Sequence, residues 1–403
     1  MVNVRSIMRF SIFCFIMLLS GCSYLTTGET AIILGCLFAC ISLSIGFIDW
    51  YQVRYASPDN VFILMILIGM VFSQVIYPAQ NSLVETLILF LRIVAAYMVT
   101  KVFTAEEFAK KYVLAINITT VFAVLVWTMR TFGFDVPGAE FANINGAQYK
   151  TIFFCSWMLN SNRLMGIFWE PGLYSSSAIF SMILASKYLK GAEQKLSYII
   201  SIIGILLSQS TAGYILLILS LYFVSVQNES HRAIVDYIVL AACLLLFFNY
   251  EKLVQVFLNL NPDVFWKLSG NNLTTNTRLN SPIACLEIFK KSPLTGVGLR
   301  YGTDIYSAMK SQFHMDALTA TSFFYLAAYG IWGISYSVLT VLAVFRRNYL
   351  SFPLKIILLV IIFLILNKEP HYSIAVTYVF LFFYSRDKIE RREEDTNANS
   401  FVD

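Results

Sequence analysis

Apolar runs long enough to cross about 30 Å of hydrocarbon recur along the whole chain, separated by short polar breaks. They fall at 7–25, 31–49, 61–78, 82–103, 112–130, 170–188, 196–209, 212–226, 233–250, 319–345, 352–366 and 373–385. The least distinct boundary is Ser208-Gln209-Ser210-Thr211, the only break between the seventh and eighth windows. Lipid offers backbone N–H and C=O groups no partners, so each window is predicted to be a helix. The pattern predicts an all-α polytopic membrane protein, a single integral membrane domain over 1–403 with about twelve transmembrane helices. No internal repeat is evident.

The first window permits two readings. Arg5 and Arg9 precede it, and Leu19-Ser20-Gly21-Cys22 resembles a lipoprotein cleavage box, which would make it a removed signal. The other reading, a first transmembrane helix, is preferred because many more spans follow and a multispan protein needs no lipid anchor.

Cations sort by side. Counted over short loops, one side receives Arg5, Arg9, Arg54, Lys101, Lys110, Lys111, Lys187, Lys190, Lys195, Arg232, Arg346, Arg347, Lys355 and the Arg/Lys residues from Arg386 on. The short loops of the other side hold only Lys368. The alternation predicts both termini in the cytoplasm, with 386–403 a charged, disordered cytoplasmic tail. Two long loops, 131–169 and 251–318, then fall on the outer (periplasmic) face. Loops of that length are uncommon unless they carry function.

The first outer loop leads into Asn162–Ser177, NRLMGIFWEPGLYSSS, the densest mix of charge, aromatics and helix punctuation in the chain. Pro171 suits a first helical turn, where its missing N–H costs nothing. A helix is predicted to start there with Glu170 as its cap, at the positive end that attracts phosphate or holds a carboxylate ionised. Arg163 is either a bidentate phosphate fork or a snorkelling interface residue. Glu170 is either a base or a cap paired with Arg163.

The second outer loop holds Arg278 in Asn276-Thr277-Arg278-Leu279-Asn280. Pro282, Ile283, Leu286, Ile288 and Phe289, interleaved with Glu287, Lys290 and Lys291, predict a short helix lying on the membrane surface. Ser292-Pro293-Leu294-Thr295-Gly296-Val297-Gly298 follows, then Arg300 and Gly302; by itself this glycine pattern reads as a tight turn. Inside the fourth window Glu85 and Arg92 are seven apart on one helical face, and charge at such depth usually has a purpose. They pair with each other or meet a lipid phosphate, unless Glu85 is merely wet at the helix end. Lys368, Glu369 and His371 read as a polar rim, and His314 stands between rim and site.

Composition narrows the classes. Apolar residues are 58% of 403 and charged ones 13%, with mean hydropathy +0.68, which excludes an ordinary soluble domain. The net charge of +5 is spread over many loops and gives no nucleic-acid footprint. Seven cysteines lack CxxC or Cys/His spacing, so no metal site and no cofactor are expected. Cys155 and Cys285 lie outside the predicted spans; two buried thiols are preferred there over a disulfide.

These motifs resemble a family. Arg163-x-x-Gly166-x-Phe168-x-Glu170-Pro171-Gly172 at a span's entrance is similar to the bacterial O-antigen and capsule polymerases of the Wzy type, relatives of the O-antigen ligases. So are the Ser208–Tyr214 junction, a late-loop Arg followed by a Ser-Pro-Leu-x-Gly-x-Gly turn, and Thr321-Ser322-Phe323-Phe324 through Gly330 and Gly333. The ligases usually carry a His just before this last span; here Thr321 takes that place and His314 lies seven residues upstream, which weighs against ligase. Neither Arg163 nor Arg278 has the Gly eleven residues on that some polymerases show.

The resemblance implies a glycosyltransferase-type polymerase of the bacterial inner membrane. Its substrates are oligosaccharide repeats on undecaprenyl pyrophosphate, and its companions a chain-length regulator and a flippase of the same pathway. A departing pyrophosphate calls for cationic clamping and the acceptor hydroxyl for a base. That nominates Arg163, Glu170 and Arg278 as catalytic, and Arg92, Gly296, Gly298, Arg300 and His314 as substrate-binding. A flippase or permease for the same lipid-linked sugars ranks second. It should show charged or broken helices near the midplane and repeat symmetry, whereas only Arg92 sits deep here.

Overall fold

Proline sets where several helices begin. Pro58, Pro171 and Pro353 each occupy the first turn, after extended residues Ser57, Glu170 and Ser351. The computed structural model describes residues 4–23, 30–46, 57–78, 82–142, 147–226, 273–299, 304–315 and 318–386. It is mostly helical, as expected of an α-helical membrane protein. The helices are α1 (Val4–Leu18), α2 (Thr30–Ile45), α3 (Pro58–Ile76), α4 (Leu83–Val102), α5 (Ala105–Thr131), α6 (Pro171–Tyr188), α7 (Gly191–Leu207) and α8 (Thr211–Val226). After them come α9 (Leu273–Lys291), α10 (Asp304–Gln312), α11 (Thr321–Tyr329), α12 (Ile334–Phe345), α13 (Phe352–Lys368) and α14 (375–386). Every predicted window carries a helix except 233–250, which lies outside the described residues, as do Arg300 and the tail from 387 on. By length and composition Pro58–Ile76, Leu83–Val102, Ala105–Thr131 and Thr321–Phe345 suffice to cross a membrane.

The chain divides into two compact units: Met1–Arg54, Leu91–Asn228 and Tyr372–Phe383; and Tyr55–Phe90, Glu229–His371 and Tyr384–Asp403. In the first, α6 is buried along nearly its whole length against α5, α7 and α8. Lipid gives no hydrophobic drive between such helices, so close packing and interhelical hydrogen bonds hold them. Tyr174 and Thr120 share a hydroxyl bond at 2.8 Å, and Asn117 Nδ2 donates to Ser197 at 2.8 Å. Gly204 leaves room for the Tyr174 hydroxyl, where any Cβ would collide. At the far end of α1 and α5, Arg9 donates to the Val102 carbonyl at 2.9 Å and pairs with Glu107 at 2.7 Å; Glu107 also closes a capping box with Thr104.

The loop 131–169 is not irregular. It folds into a three-stranded antiparallel sheet, β1 (Ala139–Ala142), β2 (Gln148–Ile152) and β3 (Cys155–Met158), in order β1-β2-β3. Tyr149 pairs with Met158 and Lys150 with Trp157 in register. The residues around Cys22 join this region: Cys22 forms a β-bridge with Phe168, Ser23 N–H donates to the Ile167 carbonyl, and Trp169 N–H to the Gly21 carbonyl at 3.1 Å. Leu19–Cys22 is thus built into the unit, which supports the helix reading of the first window.

In the second unit the expected surface helix is instead a packed one. It is 19 residues long, α9, and its stripe of Thr277, Ser281, Ala284, Cys285 and Ile288 is buried. Ile283 and Leu286 stay exposed, so the predicted apolar face is rotated from the one that packs. Small residues on the stripe let α9 approach α11: the Ser281 hydroxyl accepts from Thr319 N–H at 2.9 Å and Ala320 N–H at 3.1 Å. At the other end of α9, Val297 and Gly298 N–H donate to the Ala327 and Ala328 carbonyls at 3.0 and 2.9 Å.

The window 319–345 is not one straight span. Gly330 has φ +60°, a 3₁₀ turn covers Gly330–Gly333, and Tyr325 stacks on Tyr336 with ring centroids 4.6 Å apart. Residues eleven apart in a straight helix would be separated by about 16 Å, so α11 and α12 fold back on each other. Cys155 and Cys285 are free and buried, as the thiol reading expected. Burial pushes the Cys155 thiol up to about 12, which removes it as a nucleophile.

Candidate functional site

Two polar constellations emerge, one in each unit. The first is the Arg163–Glu170 corner. Arg163 reaches the end of α7, where its Nε donates to the Ser208 carbonyl and its Nη2 to the Gln209 carbonyl, both at 3.0 Å. A guanidinium fork on the last carbonyls of a helix also meets the negative end of its dipole. Gln209 is held at φ +49°, a costly conformation for a residue with a Cβ. Arg163 thus fixes the α7–α8 junction. Glu170 occupies the N-cap position of α6 with φ −146° and ψ 141°, as predicted. Its carboxylate, however, makes no hydrogen bond to the first-turn N–H groups. The cap is backbone geometry, and the side chain's role lies elsewhere.

The second constellation centres on Arg278 and was only half legible. Its Nη2 pairs with Glu369 at 3.1 Å and its Nε donates to the Lys368 carbonyl at 3.4 Å. The Glu369 side chain is 3% exposed and that of Arg278 33%, so a buried carboxylate holds a guanidinium that still reaches solvent. The Glu369 carbonyl accepts from the Thr321 hydroxyl at 3.3 Å and from His371 N–H at 2.7 Å. Lys368 and His371 are themselves buried. Burial, reinforced by the Lys368 ammonium, pushes His371 down to about 3, so its imidazole is neutral at neutral pH. The Lys368–His371 stretch is a buried anchor, not the rim it resembles in sequence.

The other nominated residues are dispersed. Arg278 and the Gly296–Gly298 turn lie at opposite ends of α9, separated by about 20 Å of helix rise. Within the turn, Gly296 N–H is spent on the Ser292 carbonyl, in addition to the two bonds to α11. A Cβ at Gly296 would collide with the Ala328 carbonyl. The geometry thus gives these glycines a packing role. His314, at φ +49°, is exposed just past α10, and the carbonyl of its neighbour Phe313 takes a hydrogen bond from Asn280 at 2.9 Å. Glu85 sits in the exposed first turn of α4 and Arg92 is half-buried two turns on. Among the described residues no group of His, Cys, Asp or Glu could hold a metal ion.

These features define a helical membrane protein with ordered polar structure gathered at helix ends. Residues 196–334 match the family model described as O-antigen ligase, Wzy_C. That segment, about a third of the chain, is similar to the O-antigen ligase and Wzy-type family. The matched segment contains the α7–α8 junction, Arg278, the glycine turn and Thr321–Gly333, and it begins after Arg163 and Glu170. No curated relative and no solved structure matches the chain.

Proposed function

We propose that this protein joins undecaprenyl-pyrophosphate-linked oligosaccharide repeats into a surface polysaccharide at the outer face of the bacterial inner membrane. The observation that carries the reading is Arg278, a guanidinium immobilised by the buried Glu369 inside the family-matched segment. A fork held in place needs no reordering when pyrophosphate charge develops, and bidentate geometry suits phosphate oxygens. In the step, an acceptor hydroxyl oxygen bonds to the anomeric carbon as the carbon–oxygen bond to pyrophosphate breaks. The pyrophosphate leaves with the electron pair, and the hydroxyl proton passes to a carboxylate, a role for which the sequence alone nominates Glu170. Arg163 is read as a positioning residue.

The test is the glycan ladder of a deletion strain carrying variants at equal protein level. Arg278→Ala should abolish polymer, and Arg278→Lys should recover little, since an ammonium is one point of charge. Glu170→Gln should fail about as badly as Glu170→Ala. Long polymer from both Arg278→Lys and Glu170→Gln would sink these assignments. The description of the matching family favours a second reading, O-antigen ligase. It predicts unlinked polymer in the deletion strain, whereas a polymerase defect leaves single repeats and a flippase defect leaves repeats trapped inside.

A further inference from the structure

Beside the Arg163 corner, wholly within the first unit, lies a cleft of about 370 Å³. The last turn of α5 supplies Arg130, the turn after it Phe134 and Asp135, β2 Lys150, β3 Trp157, and the chain before Arg163 supplies Asn162. Gly133, at φ +81°, makes the sharp exit from α5 that brings Phe134 and Asp135 back over the sheet. Arg130 donates to the Ser161 carbonyl at 3.1 Å and its guanidinium lies 5.3 Å from the Trp157 ring centroid. Among the described residues it forms no ion pair. Lys150 is matched by Asp135 at 3.2 Å and by Glu140 at 3.8 Å. Lys150 is thus held by two carboxylates, and Arg130 is the other cation of the lining. Phe134, 63% exposed, offers an apolar face at the mouth.

We infer that this cleft is a glycan subsite for a carboxylate-bearing sugar. The identification rests on the reading of a lipid-linked glycan as substrate. A pyranose ring has an apolar C–H face and a polar edge. Phe134 suits the face and Asn162 and Asp135 the hydroxyls, while Arg130 takes the carboxylate as a bidentate, charge-assisted partner. A neutral sugar would leave the Arg130 charge unmatched. A bare phosphate would use Arg130 but gain nothing from Phe134. The cleft shares with the first corner only the Asn162–Arg163 chain segment.

The experiment uses the full chain in lipid nanodiscs and ligand-observed saturation-transfer NMR. The probes are methyl glucuronide, methyl galacturonide and N-acetylneuraminate, with methyl glucoside and methyl galactoside as neutral counterparts and inorganic phosphate as competitor. At least one acidic sugar should bind roughly tenfold more tightly than its neutral counterpart, the scale of one charge-assisted hydrogen bond. Arg130→Gln should remove that preference. Phe134→Ala, at an exposed position that threatens no core, should weaken acidic and neutral sugars alike. Equal binding of acidic and neutral sugars, or none by any probe, overturns the proposal. So does displacement by phosphate with no effect of Phe134→Ala, which would make this a headgroup contact. Failure of the polymerase reading is distinguishable: Arg278 variants would then still polymerise while acidic-sugar binding stayed intact.

Discussion

Arg163 spends two donors on the carbonyls of Ser208 and Gln209, and this separates positioning from chemistry. Hydrogen bonds from a charged donor contribute about 1.5–3 kcal/mol when buried, less at this half-exposed position. Arg163→Ala should therefore lower the melting temperature of the purified protein, by about 1–2 kcal/mol of stability. Arg163→Lys should recover only part, because one ammonium cannot bridge two carbonyls. An unchanged melting temperature with all polymer lost would return Arg163 to phosphate clamping. At His371 the effect is one of pH. Its folded-state pKa of about 3 lies below the ordinary 6.5. The stability it contributes is whole above pH 6.5 and is lost as pH falls from there toward about 3, as the unfolded state takes up the proton first. His371→Gln should flatten the melting-temperature profile in that window; a slope unchanged by the substitution would assign the acid sensitivity to other groups. At this scale the sequence marked Arg163, Glu170 and Arg278 by their charge in greasy surroundings. It did not mark Glu369 and His371, because a short polar stretch between two apolar runs looks solvated until another helix is seen to cover it.

Among the elements, helices were legible and their breaks were not. Hydropathy reports what lipid requires of the backbone, so it finds helical windows. It does not report where φ turns positive, and so 319–345 reads as one crossing. Gly330 and Gly333 are the signal in retrospect: a Cβ at Gly330 would meet the Pro293 carbonyl, and one at Gly333 the Tyr325 carbonyl. The small sheet was hidden for a related reason. Its strands are short, and β2 alternates buried Tyr149 and Thr151 with half-buried Lys150 inside a loop judged only by lack of apolar length. Gly296 and Gly330 interlock the turn after α9 with the break after α11, both at positive φ. Gly330→Ala should cost roughly 2 kcal/mol or more, from the left-handed backbone plus overpacking. The check is the yield of folded protein and its melting temperature, read beside Gly133→Ala, which has positive φ but open space around it. Equal losses at the two glycines would show that backbone strain alone sets the cost.

Across the whole chain, sidedness is argued from loop charge and set beside the contacts within each unit. The count of Lys and Arg assigns each helix end to a face. Contacts within each unit pair helix ends, and several of these pairs join ends assigned to the same face, whereas Phe62 near the cytoplasm-assigned start of α3 meets Tyr325 near the outer-assigned start of α11, where α11 and α12 fold back. In the first unit, Arg9 meets Val102 and Glu107 on the face assigned to the cytoplasm, while Trp169 meets Gly21 and Arg163 meets Ser208 on the outer one. In the second, Arg386 pairs with Asp59 and Arg346 donates to the Ser385 carbonyl on the cytoplasmic face, while the Tyr77 and Ser292 hydroxyls meet at 3.2 Å on the outer face. The topology with both termini in the cytoplasm is a proposal that rests on the loop charge. It is tested on the intact chain, in a background where the native cysteines are replaced. Single cysteines at Phe154, Lys190, His314 and Asn348, all exposed, are probed in whole cells with a membrane-impermeant maleimide. Phe154→Cys and His314→Cys should label at once. Lys190→Cys and Asn348→Cys should label only after the membrane is opened. Labelling of Phe154→Cys and Lys190→Cys from the same side would break the topology at α6, the helix that joins them, and would place the Glu170 corner away from the lipid-linked glycan it is proposed to meet.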